Sequence, residues 1–233
     1  MKSYLLLLFR LANYNIKVIF AHKFVYFLVA VFLFFAFIIT ITIIEDPDFD
    51  ESVIYGMLVF PGLLLIFYPM AYGIQNDDDS KMLETIFGIP NYRYKFWLVR
   101  FVLTLGVAFV ILYVLGHIAN FTLYRFHILP MLGQVLFPIV FLSSLAFMLS
   151  TLIKNGNGTA IVVVIVGFIF FIFSDPLEYS AYNVFLNPFS DPRDMSEFIW
   201  LTIIFKNRVY LMVSSVLCLL YGLYNLQFRE KFV

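Results

Sequence analysis

The stretch QNDDDSKMLETIFGIPNYRYKFWLVR, Gln75 to Arg100, is the long polar interruption between two apolar runs that are each long enough to cross a bilayer. It reads as a short helix with its own punctuation. Asp77, Asp78 and Asp79 put negative charge where a helix N-terminus favours it. Met82, Leu83, Ile86 and Phe87 then fall on one face at helical spacing, with Lys81, Glu84 and Thr85 opposite. Gly88 and Pro90 end the helix, the first by its freedom to cap and the second by its inability to continue. The spacing therefore predicts an amphipathic helix over 77–90 that lies along a membrane surface and is tied to two spans. Such an element suits force transmission from a soluble partner.

Composition fixes the class of protein around this stretch. Of 233 residues, 63% are hydrophobic and only 13% are charged, with a mean hydropathy of +0.95. Those values exclude a soluble domain of this length. A formal net charge of zero gives no basic footprint for nucleic acid. The one cysteine, Cys218, excludes an internal disulfide. Gly156 and Gly158 are not followed by Lys-Ser or Lys-Thr, so no phosphate-binding loop of Walker type is present. If ATP drives this protein, another chain must bind it.

Taken in order, residues 1–23 carry Lys2, Arg10, Asn13 and Lys17 on one side of a helical wheel, the pattern of a helix lying in the headgroup region. Spans are expected at about 24–44, 53–74, 96–119, 129–153, 158–174 and 209–226. Pro61 and Pro69 predict kinks in the second, and Arg100 is expected to snorkel to the interface at the foot of the third. Residues 175–208 are too apolar for a solvated loop and are broken by Pro176, Pro188 and Pro192; they read as a re-entrant segment of two short helices dipping into the outer leaflet. Eleven basic residues then fall on the side of the termini and four on the other. This bias places both termini in the cytoplasm. The chain reads as one all-α integral membrane domain, multi-pass in a cell membrane.

Several of these stretches resemble one family. Lys81-Met82-Leu83-Glu84-Thr85-Ile86-Phe87-Gly88-Ile89-Pro90-Asn91-Tyr92-Arg93, entered through acids, is similar to the coupling-helix region of ABC type-2 permeases, the membrane subunits of ATP-binding-cassette exporters. Leu149-Ser150-Thr151-Leu152-Ile153-Lys154-Asn155 resembles that family's connection between the fourth and fifth spans, and Asn187-Pro188-Phe189 its Asn-Pro near the outer re-entrant helices. The order and spacing of the parts carry the resemblance, which covers nearly the whole chain. It implies a permease that exports a substrate by alternating access, with ATP and Mg held by separate ABC ATPase subunits and no cofactor in this chain. A second permease chain, identical or related, would complete the pathway, in a bacterial inner membrane. Asp79, Lys81, Met82, Leu83, Glu84, Ile86, Phe87 and Arg93 would contact the ATPase.

Other functions have less in the sequence to stand on. His22, His117 and His127 lack partners at metal-ligand spacing, and no serine sits in a nucleophile-elbow context, so nothing points to an enzyme. An ion-coupled carrier is an alternative, but the central parts of the expected spans hold no Asp, Glu, Lys or Arg. A non-transporting scaffold is the other. The spans offer Phe, Leu and Ile with few polar groups, so an amphiphile, lipid, hydrophobic drug, peptide or antibiotic suits them better than a sugar or a free ion.

Overall fold

The computed structural model describes residues 24–45, 49–79, 81–82, 88, 93–192 and 195–227, of which 45 and 93–95 by backbone only. Its described residues form helices and turns, with no strand. In chain order the helices are α1 (Phe24–Glu45), α2 (Glu51–Asp79), α3 (Val99–Thr122), α4 (Ile128–Ile153), α5 (Gly156–Ile172) and α6 (Glu197–Asn225), with a π-helical turn, Arg93–Leu98, leading into α3. Five of them are long and apolar enough to cross a membrane: α1, α2, α4, α6 and the unit Phe96–Thr122. The exception is α5. Its 17 residues span roughly 26 Å at about 1.5 Å per residue, short of a hydrocarbon core about 30 Å thick.

Helices α2 and α4 form the centre. Ile54, Leu58 and Leu65 of the first, with Leu132, Val135 and Ile139 of the second, are almost wholly buried. Helix α4 packs mainly on α6 and α2, while α2 also meets α1, α3 and α5. Small residues allow the closest approaches. The Ile139 side chain occupies the space where Gly62 would carry a Cβ, and a Cβ on Gly222 would come within 2.8 Å of the Phe147 ring. Helix α1 is peripheral: Val31 and Phe35 are buried, but Val25, Leu33, Phe37 and Ile41 are exposed. So much exposed apolar surface, repeated along α5 and α6, is the outer face of a protein whose solvent is lipid. Polar side chains on it satisfy themselves locally, as Thr40 and Thr42 do by donating to the carbonyls of Ala36 and Ile38.

The structure moves three boundaries. Helix α2 does not stop near Ile74; it runs unbroken through Pro61 and Pro69 to Asp79. No Gly or Pro lies between Gln75 and Asp79 to end it. Asp77–Asp79 therefore close α2 instead of opening a separate helix at 77. The stop comes two residues on, where Lys81 takes a left-handed backbone (φ 55°) and its N–H donates to the Asp78 carbonyl at 2.8 Å.

The turn between α4 and α5 is tighter than the glycines suggest. Lys154 is left-handed (φ 61°), and Asn155 caps α5 by accepting from the Gly158 N–H at 2.9 Å, so Gly156 and Gly158 already belong to the helix.

The third change is in α6. It begins at Glu197, so 197–208 is the first part of the last helix and not a dipping helix of its own. All three prolines of the expected re-entrant segment precede it, and residues 173–190 form a run of turns. The expected interfacial helix at 1–23 lies outside the described residues.

The tight α4–α6 contact yields a test. Gly222→Leu should lower the thermal stability of the detergent-solubilised protein by about 1–3 kcal/mol through overpacking, and Phe147→Ala in the same chain should recover part of the loss. An unchanged melting temperature for the single variant would mean that the two helices do not meet as described.

Candidate functional site

The buried charged and amide side chains gather at the two ends of the bundle, while Ser143, Ser144 and Ser215 between them donate to carbonyls of their own helices. At one end the last turn of α2 meets the start of α3, the end of α4, the start of α5 and the end of α6. Arg100 Nη1 donates to Asp77 Oδ2 at 2.6 Å, and both side chains are buried. The expected snorkelling does not occur; Arg100 turns into the bundle because Asp77 neutralises it there. Trp97, one turn back, lies with its ring under the guanidinium at 5.7 Å. The π-helical turn and α3 put Trp97, Arg100 and Phe101 on the buried face together. Gly73 leaves room for the guanidinium, which a Cβ there would meet at 3.4 Å.

Further bonds tie the other helices to this end. Ser150 Oγ donates to the Ala71 carbonyl (3.3 Å), Asn225 Nδ2 to the Thr151 carbonyl (2.6 Å), and Tyr72 Oη to Asn157 Oδ1 (3.0 Å). The Gly156 N–H donates to Gln75 Oε1. One carboxylate, one guanidinium and several amides and hydroxyls thus tie five helix ends together.

The opposite end is built on Asn207 and Arg208. Arg208 donates from Nε to Gln134 Oε1 (2.8 Å), from Nη1 to Asn207 Oδ1 (2.8 Å) and from Nη2 to the Leu186 carbonyl (3.4 Å). Its guanidinium also lies over the Phe137 ring at 5.2 Å. Asn207 Nδ2 donates to the carbonyls of Ala181 and Asn183. Asn183 in turn donates from Nδ2 to the Ser174 carbonyl and accepts the Phe185 N–H. Asn187 donates to both the carbonyl and Oγ of Ser52 at the start of α2. These amides supply the bonds that a run of turns packed against a membrane bundle cannot obtain from water. The buried Tyr55 hydroxyl beside Arg208 makes no hydrogen bond of ordinary geometry.

Of the residues expected to face a partner, Asp79 is exposed at the end of α2, with Oδ2 accepting from Gln75 Nε2 at 3.4 Å. Lys81 is exposed, and Met82 is half-buried against the core. Arg93 opens the π-helical turn. Leu83, Glu84, Ile86 and Phe87 lie outside the described residues.

The sequence reading missed Arg208 because it began the last span at Val209. Trp200, Asn207, Arg208, Leu211 and Ser215 are buried at three- and four-residue spacing, a periodicity visible in the sequence once the helix is extended backwards. Comparison of the chain with protein-family models, curated proteins and solved structures finds no match in any of the three.

The ion pair gives a quantitative expectation. Asp77→Asn or Arg100→Met alone should destabilise the folded protein by about 3–5 kcal/mol, since each strands one buried polar partner. The double variant Asp77→Leu/Arg100→Met should be the less damaged, as measured by thermal unfolding in detergent. Additive losses would mean that the two groups do not act as a pair.

Proposed function

We propose that this chain is the membrane subunit of an ATP-driven exporter of the ABC type-2 kind. The observation that carries the reading is the buried clasp between Asp77 and Arg100. It ties the end of α2 to the start of α3, so a push on the chain between them is delivered to the two helices as one unit. In this reading the 77–90 region rides on an ABC ATPase subunit through Met82, Leu83, Ile86 and Phe87, with Glu84 as the charged contact and Asp79, Lys81 and Arg93 beside it. ATP and Mg sit on that subunit. Helix α5 counts as the sixth span, both termini are cytoplasmic, and a second permease chain completes the pathway in a bacterial inner membrane.

The substrate is an amphiphile or a hydrophobic compound. An apolar recess of about 300 Å³ among α2, α4 and α5, walled by Phe60, Leu63, Phe67, Leu142, Val163 and Phe171, supports this choice. An ion-coupled carrier is the second reading. The burial of Arg208 within α6 favours it, since the expected spans held no such charge. Both Arg208 and Asp77 lie toward the ends of the bundle and not at its midplane, and Asp77 is already neutralised by Arg100, which is why the carrier stands second.

The two readings part in one experiment. The tagged full-length protein, purified in a gentle detergent, should bring down a subunit with a Walker motif and show vanadate-sensitive ATP hydrolysis. Glu84→Arg should abolish the stimulation of that ATPase while leaving membrane insertion intact. A lone protein in detergent and again in lipid nanodiscs, or undiminished stimulation by Glu84→Arg, would overturn the exporter reading.

A further inference from the structure

We propose that the groove beside Arg208, between α4 and the first half of α6, binds an anionic phospholipid, with its phosphate on the guanidinium and an acyl chain along the apolar wall. This inference is separate from the transport reading and does not need an ATPase.

The two buried arginines are solved differently. Arg100 has a carboxylate; among the described residues Arg208 has none, and its three hydrogen-bond acceptors are an amide oxygen of Gln134, one of Asn207 and a backbone carbonyl. Neutral acceptors solvate a cation but leave its charge in place, and a buried charge without a counter-ion carries a desolvation penalty of several kcal/mol. A guanidinium has five N–H groups. The three bonds leave N–H capacity on the terminal nitrogens, beside the neighbouring Tyr55 hydroxyl, for a phosphate oxygen to accept.

The surroundings supply the rest of a lipid site. Arg208 and Gln134 are the polar members of a groove of about 500 Å³ otherwise walled by apolar side chains, including Phe137, Leu201, Phe205 and Met212. That volume is within the usual range for small-molecule sites. Leu201, Phe205 and Met212 are 56%, 69% and 48% exposed, so the groove opens sideways to the lipid.

Depth agrees as well. Gln134 is the seventh residue of the 26-residue α4, roughly 9 Å from its start at about 1.5 Å per residue. A helix roughly 39 Å long overhangs a hydrocarbon core of about 30 Å by about 4–5 Å at each end. The guanidinium therefore lies just below the headgroup layer, where a phosphate reaches it with its acyl chains pointing inward. A net-anionic headgroup cancels the charge, whereas a zwitterionic phosphocholine carries its own cation and leaves the net charge in place.

The test uses the full-length protein in detergent, titrated separately with dioleoylphosphatidylglycerol, dioleoylphosphatidylcholine and inorganic phosphate. Thermal unfolding and bound lipid by native mass spectrometry are followed. Phosphatidylglycerol should give a saturable rise in Tm and a retained adduct. Phosphatidylcholine should bind about tenfold or more weakly, the loss of a hydrogen-bonded ion pair, and inorganic phosphate should have no effect. Arg208→Gln should erase the preference between the two lipids.

Because Arg208 also braces the turns after α5, Met212→Trp provides an independent variant. It fills the groove from an exposed position without touching the hydrogen-bond network, and should weaken phosphatidylglycerol about tenfold by blocking the chain's path. Equal binding of the two lipids, unchanged binding in Met212→Trp, or stabilisation by inorganic phosphate alone would each overturn the site. So would a dimer that Met212→Trp converts to monomer with no lipid dependence, which would assign this face to a second copy of the chain.

Discussion

A charge inside a membrane bundle has neither water nor mobile counter-ions within reach, so the chain must supply its partner or leave it at the surface. The contact between Asp77 and Arg100 meets that constraint at one end of the molecule, and the local structure follows from it. Helix α2 can keep winding through Gln75, Asn76 and three aspartates, against the sign of its own dipole, because the innermost aspartate is neutralised. The entry of α3 turns Arg100 inward for the same reason. The neighbouring bonds from Ser150, Asn225 and Gln75 then register three more helices on this junction.

At the other end the same constraint is met without an acid. The prolines at 176, 188 and 192 keep residues 173–190 from forming a regular helix, and each backbone amide there needs an acceptor that lipid cannot provide. Asparagine suits this role because its short side chain both donates and accepts beside its own backbone. Asn183, Asn187 and Asn207 do so, each joining the turns to a helix or to themselves. Arg208 is the keystone of this arrangement and, among the described residues, has no acid beside it. The two ends differ, then, in one respect that matters chemically: the first is closed as a neutral pair, while at the second the described residues set a cation beside an apolar groove.

Much of the helical architecture was legible in the sequence, since runs such as 24–44 and 129–153 contain no charged residue and their observed limits differ by a residue at most. The errors fell where polar residues follow an apolar run. Charge was read as the end of a span at Ile74 and as the residue before a span at Arg208, when in both places the helix continues and the charge is buried. Hydropathy registers what a side chain costs in lipid and has no knowledge of a partner 23 or 74 residues away, which is where Asp77 finds Arg100 and Arg208 finds Gln134. The turn at Lys154 shows the local version of this limit. Two glycines next to a lysine suggest the bend, yet the lysine takes the left-handed position and Asn155 starts the next helix.

Helix α2 is the one element that belongs to both ends. Its last turn carries Asp77, and its first turn carries Ser52, which receives two hydrogen bonds from Asn187. Both belong to one continuous helix of 29 residues, roughly 43 Å long at about 1.5 Å per residue. The Asp77 end and the turns beside Arg208 are therefore joined by a single rod. Pro61 and Pro69 each remove a backbone donor and crowd the preceding turn, so any bend is concentrated in that middle section. There Gly62 and Ile139 hold α2 hard against α4, and the side facing α5 opens on the apolar recess. The middle of α2 thus carries two opposite features on one section of helix, a close contact on the face toward α4 and an open apolar recess on the face toward α5.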